Sequence, residues 1–117
     1  MKKRSEPRIS RGFLVEISRR GMEQMGVTVN LSHRGMCVAT TRVLRRHSRL
    51  RVLIAAADEI YTLSGQVVWH LRKEAATQGE VPAEIGILIE DAPPGYRRFI
   101  AAARRDCLPA TKPRLAC

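Results

Sequence analysis

Two short stretches of the chain carry side chains that a fold alone does not need. The first is Arg4-Ser5-Glu6-Pro7-Arg8, where Pro7 disfavours helix at Glu6 and an extended arm offers two guanidinium groups that can fold back over the rest of the chain. The second is Asn30-Leu31-Ser32-His33-Arg34-Gly35, a tight corner between two apolar runs. A hairpin needs only a Gly or Asn that tolerates positive φ. An amide, a hydroxyl and a guanidinium at one turn add donors and acceptors beyond that need. Arginine in particular suits planar, bidentate contact with a phosphate or a purine edge. Taken singly, Asn30 and Gly35 are ordinary hairpin residues, Ser32 can bond its own turn, and Arg4 and Arg8 can be a solvated tail.

Strands must position these groups. From Gly12 onward the runs FLVEIS, VTVNLS, GMCVAT, LRVLIA, YTLSGQVVW and EIGILIE are short, rich in β-branched residues and separated by turn-like or charged segments. In the second run, alternation places Val27, Val29 and Leu31 on one face and Thr28 and Asn30 on the other. Six strands without intervening helices predict antiparallel meander or Greek-key pairing, and closure into a small barrel would remove exposed edges. From Pro93 to Leu108 the period changes to that of a helix, with Tyr96, Phe99, Ile100, Ala103 and Cys107 on one face and Arg97, Arg98, Arg104 and Arg105 elsewhere. Asp91 or a neighbour can cap it, and Pro93 or Pro94 suits its first turn. The expected organisation is a flexible N-terminal arm over 1–11, a barrel plus helix over 12–108, and a disordered tail over 109–117.

Composition bounds the function. A chain of 117 residues forms one core. With 44% hydrophobic but 4% aromatic residues, that core is built mainly from aliphatic side chains, and stacking platforms for single-stranded nucleic acid are scarce. The net charge of +10, carried far more by Arg than by Lys, favours an anionic partner. A GC-rich genome also enriches Arg without functional cause. Cys37, Cys107 and Cys117 are odd in number, lack metal-like spacing, and the terminal position of Cys117 rules out a prenylation box. No apolar stretch has the length of a leader or a membrane span, so a cytoplasmic protein is expected and Asn30-Leu31-Ser32 is not read as a glycosylation site.

Nothing points to catalysis. The adjacent acids Asp58-Glu59 and Glu90-Asp91 fall at turns or strand ends, and His33, His47 and His70 lie on separate segments without ligand spacing. Phosphate-binding Gly-rich loops are absent from the sequence. No enzyme, metal or cofactor is expected.

Arm and corner together resemble the signature of the PilZ domain, a bacterial receptor for the second messenger cyclic di-GMP: R-x-x-x-R at Arg4 to Arg8, then [D/N]-x-S-x-x-G at Asn30 to Gly35. The run ending in GQVVW, the later EIGILIE and the terminal helix extend the likeness over roughly Lys3 to Ile100. The resemblance implies an all-β, six-stranded antiparallel barrel of the split-barrel type with a C-terminal α-helix. It also implies roles. Arg4 and Arg8 would clamp guanine and phosphate of the dianionic ligand, which offers O6 and N7 acceptors on one guanine edge and N1 and N2 donors on the other. Asn30 would offer its carbonyl to guanine N–H donors, Ser32 a hydroxyl, and Gly35 close backbone approach and a conformation forbidden to side chains. Arg34 is a further candidate for phosphate contact. Asn30 stands where Asp is the commoner residue of the family, which puts affinity in doubt more than function.

Ligand would then draw the arm onto the barrel and change the surface seen by a protein partner or by a second copy. Two other readings remain open on sequence alone. One is a basic barrel that binds nucleic acid non-specifically through the Arg-rich segment 41–51 and the helix face. The other is a protein-interaction module whose nucleotide site is silent.

Overall fold

The computed structural model of the chain describes residues 8–56, 58–72 and 83–106. Arg4, Cys107, Leu108, Cys117 and the expected tail over 109–117 lie outside the described residues. Strands β1 (Leu14–Arg19), β2 (Met22–Leu31), β3 (Gly35–Thr40), β4 (Arg49–Ala56), β5 (Glu59–Arg72) and β6 (Ala83–Asp91) precede helix α1 (Pro94–Asp106). Every pairing is antiparallel, and the sheet closes in the order β1-β2-β3-β6-β5-β4. The six strands and the terminal helix read from the sequence are all present. Closure comes from β1 meeting β4, with Val15 opposite Ile54 and Ile17 opposite Val52, and it leaves no long unpaired edge on either strand.

Period-2 patterning fills the barrel. Along β4, Leu50, Val52, Ile54 and Ala56 point inward while Arg49, Arg51 and Ala55 are exposed. With Val15, Ile17, Val38, Leu63, Val67, Ile85 and Ile87 they form an aliphatic core. Both Phe and both Tyr residues gather where α1 covers one end of the barrel, with Phe99 edge-on to Phe13 at 5.1 Å and stacked on Tyr61 at 5.3 Å. Pro94 opens the helix, where its missing N–H costs nothing, and Arg104 and Arg105 in the last turn face the negative end of the helix dipole. Tyr96, Ile100 and Ala103 are the buried stripe of α1.

β2 departs from simple alternation. Its register passes from Thr28 opposite Val38 to Asn30 opposite Cys37, so Val29 is an extra, bulged residue. The expectation that Val27, Val29 and Leu31 share a face is therefore corrected: Val27 and Val29 are 46% and 41% exposed, whereas Leu31 is fully buried. A bulge shifts the parity of every residue after it, and here it turns Leu31 into the core. Thr28 is buried as well. Its hydroxyl accepts from the Phe13 N–H at 2.7 Å and donates to the Arg11 carbonyl at 2.7 Å, which fixes the chain entering β1 against β2.

The end of the arm is attached by the same strand. Ile9 N–H donates to the Leu31 carbonyl at 2.8 Å, Leu31 N–H donates back to Ile9 at 3.0 Å, and the Ile9 side chain joins the core. Thr28→Val keeps the side-chain shape but removes both hydroxyl bonds and leaves two backbone groups without that partner. It should lower stability by about 1–3 kcal/mol. Urea unfolding will measure this as a lower midpoint at constant slope, and an unchanged midpoint would refute the role of the hydroxyl.

Candidate ligand-binding site

The corner between β2 and β3 is closed by the Ser32 N–H, which donates to the Gly35 carbonyl at 2.8 Å. The Ser32 side chain is buried, and its hydroxyl oxygen accepts from Arg8 Nη1 at 3.4 Å and from the Arg34 backbone N–H at 3.4 Å. It also reaches the Gly35 carbonyl at 3.5 Å. These contacts sit at the long end of hydrogen bonding, so a charged acceptor exchanges for them at little cost. Arg8 is held over the corner because the next residue, Ile9, is pinned to Leu31. Two further bonds secure the corner: Ile89 N–H donates to the Arg34 carbonyl at 2.9 Å, and the buried Tyr96 hydroxyl donates to the Ser32 carbonyl at 3.2 Å.

Gly35 serves close approach rather than unusual backbone geometry. A Cβ there would lie 3.2 Å from the Ile87 carbonyl and 3.3 Å from Arg8 Nη1, while positive φ among the described glycines is confined to Gly21. The conformation forbidden to side chains that was expected at Gly35 is not adopted, and the close approach seen there is to Ile87 and Arg8.

Beside the corner, across β6, lies a group of residues on β5 that the sequence reading did not assign. β5 carries its own bulge, passing from Val67 opposite Ile87 to Trp69 opposite Gly86, so Val68 is the extra residue and Val68 and Trp69 are both exposed. The Trp69 indole lies over Gly86, where any Cβ would collide with the ring. A cavity of about 320 Å³ is lined by Arg8, Ser32, Arg34 and Gly35 together with Val68, Trp69, Gly86 and Leu88, across the neighbouring strands β3, β6 and β5. It thus offers guanidinium donors and a hydroxyl together with an aromatic ring. That combination suits a ligand with both a flat ring and negative charge.

Of the expected site residues, the structure brings Arg8, Ser32, Arg34 and Gly35 together. Arg4 lies outside the described residues. Asn30 does not line the cavity; it sits opposite Cys37, and its Oδ1 is buried without a hydrogen-bond partner among the described residues. Trp69 was the missed residue, and its signal was present: the sole Trp of the chain closes the run YTLSGQVVW and is 41% exposed. No group of three or more His, Cys, Asp or Glu able to hold a metal occurs among the described residues. No helix among them is long and apolar enough to cross a membrane.

A family model for the PilZ domain matches residues 2–102. The chain belongs to the PilZ domain family. Solved PilZ structures share its fold at low identity. The PilZ domain of YcgR from Escherichia coli, determined with c-di-GMP, superposes with a TM-score of 0.70 at 13% identity, over 90% of this chain and 94% of that one. The PilZ domain of CeSA from a cellulose-synthesizing bacterium gives 0.56 at 19% identity, over 83% and 92%. The inhibitor of motility MotI (DgrA) from Bacillus subtilis gives 0.77 at 14% identity, over 96% of this chain but 55% of that one, so this PilZ domain spans about half of MotI. A sequence search of curated proteins finds no match.

The packing of Trp69 on Gly86 is open to a direct test. Gly86→Ala should expel the indole from its place, shift the emission of the single Trp to longer wavelength, and cost about 1–3 kcal/mol through overpacking. An unchanged emission spectrum and unchanged stability would show that the ring does not rest there.

Proposed function

We propose that this PilZ domain is a receptor for cyclic di-GMP that passes its signal to a protein partner, or to a second copy, without catalysis. The observation that carries the reading is that Arg8, Ser32, Gly35 and Trp69 line one cavity. Membership of the family and the c-di-GMP in the YcgR domain structure support the ligand.

Cyclic di-GMP joins two guanine rings to a compact dianion, and each feature has a counterpart. Arg8 supplies a planar fork for phosphate or for guanine O6 and N7, and Arg4 adds a second from the same arm. Trp69 supplies the face on which a guanine stacks, and Arg34 lies on the cavity rim for phosphate. Ser32 exchanges its long bond to Arg8 for one to the ligand. Asn30 donates no charge, but its unpartnered Oδ1 is an acceptor that guanine N–H groups satisfy once the side chain turns toward the cavity. Ligand then bridges the arm to the barrel, and the ordered arm presents the partner with a new surface.

Calorimetric titration with cyclic di-GMP tests this. Saturable binding is expected, with GMP far weaker. Arg8→Ala should lose about 1–3 kcal/mol for each guanine contact removed, and Arg8→Lys nearly as much, because an ammonium cannot form the fork. Trp69→Ala should lose about 1–3 kcal/mol of stacking, and binding to the native chain should quench its fluorescence. Full affinity in Arg8→Lys would remove the clamp, and no binding by folded protein would reject the receptor.

A further inference from the structure

The barrel end opposite α1 concentrates arginine in a different way. Arg19 ends β1 and Arg20 forms the turn after it, while Arg49 and Arg51 open β4. In the register, Arg51 lies opposite Ser18 on β1 and opposite Ser64 on β5. Two small hydroxyl side chains thus flank a long cationic one, and the shortfall in volume leaves a cleft of about 470 Å³ with arginine walls. It shares no lining residue with the cavity at Ser32.

What the cleft presents is almost entirely donors. Guanidinium groups only donate, and serine hydroxyls can donate. Its single carboxylate, Glu90, is already engaged by Arg49 Nη1 at 2.7 Å and by Gln66 Nε2 at 2.8 Å. The guanidinium groups of Arg19, Arg20 and Arg51 form no hydrogen bond or ion pair among the described residues. Four arginines thus line one cleft that holds one carboxylate, already paired with Arg49, while another acid, Glu23, lies one strand away opposite Ser18, and the excess of like charge favours an anion.

The backbone supports the same reading. Arg20 (φ 52°) and Gly21 (φ 81°) make the two-residue turn between β1 and β2. Asn, Asp or Gly fits the first position of such a turn better, because left-handed backbone disfavours a long side chain. The other described non-glycine residue with positive φ is His47 (φ 73°), two positions before Arg49 at the same end of the barrel. Strain retained where a simpler residue would relieve it marks a position held for its side chain.

We propose that this cleft is a second binding site, specific for a multiply charged phosphate group, whether a free polyphosphate or the phosphate of a lipid headgroup. Several forks in one cleft match tetrahedral oxyanions with more acceptor oxygens than one carboxylate carries. No aromatic side chain lines it, so it reads phosphate and not a base. It is independent of the cyclic di-GMP reading.

The test is titration of the full chain with inorganic tripolyphosphate at near-physiological salt. Saturable binding is expected, unaffected by Arg8→Ala. Arg51→Gln should weaken it about tenfold or more, as should Arg20→Asn, which suits the turn and preserves the fold. Arg105→Gln, an exposed charge on α1, should change it less than about twofold. Equal losses in all three variants, or binding without saturation, would reduce the cleft to a diffuse basic field and overturn the site. Co-sedimentation with phosphatidylcholine vesicles containing phosphatidic acid separates the sources. Sedimentation that Arg51→Gln abolishes assigns the site to a headgroup, and tripolyphosphate binding without sedimentation assigns it to a soluble anion.

Discussion

A closed barrel leaves strands little freedom to slide, so one additional residue in a strand must be absorbed where it occurs. β2 absorbs its extra residue at Val29 and β5 absorbs one at Val68, and both bear on the candidate site. The first break turns Leu31 inward, which gives Ile9 a partner and places Arg8 over the corner at Ser32. The second lets Val68 and Trp69 both face outward, against the parity of a regular strand. Bulges bend and twist a strand and re-aim its side chains. The first break falls in the strand that leads into the corner, and the second among residues that, with Arg8 and the corner, line the one cavity.

This explains what the sequence disclosed and what it withheld. Strand positions and the helix were legible because β-branched runs and a 3.6-residue period are local properties, as in LRVLIA on β4 and in Tyr96, Ile100 and Ala103 on α1. The facing of β2 was not, because a bulge depends on which residue sits opposite, and Thr28 looks polar until its two backbone partners at Phe13 and Arg11 are known. Arg8, Ser32 and Gly35 were found by motif, Arg34 was added as a further candidate, and the four are clustered in the structure. Trp69 escaped because its neighbourhood is set by β6, through a glycine about seventeen residues further on whose missing side chain makes room for the ring. Asn30 was assigned a role that its present orientation does not fulfil.

Charge is distributed according to the same geometry. The corner at Ser32 receives cations from the arm and from the turn, where a mobile partner can be gripped. Cations at the opposite end are carried by β1, β4 and the turn between β1 and β2, whose backbone is fixed by sheet pairing. Preorganised donors lose less conformational freedom on binding than donors on an arm. The proposed sites at the two ends therefore differ in what carries their cations: a segment before β1 and a turn at the corner, paired strands and their turn at the other end.

The hydrogen bond from Tyr96 to the Ser32 carbonyl joins α1 to the corner through a buried contact. A ligand that displaces the corner must either take Tyr96 with it or break that bond, and either outcome alters how firmly the helix is seated. For such a ligand, occupancy of the cavity and docking of the helix would be thermodynamically linked. By reciprocity, a protein that grips the helix changes ligand affinity by the same factor with which the ligand changes its own grip. One phenol thus makes the far side of α1 part of the binding equilibrium without touching the ligand.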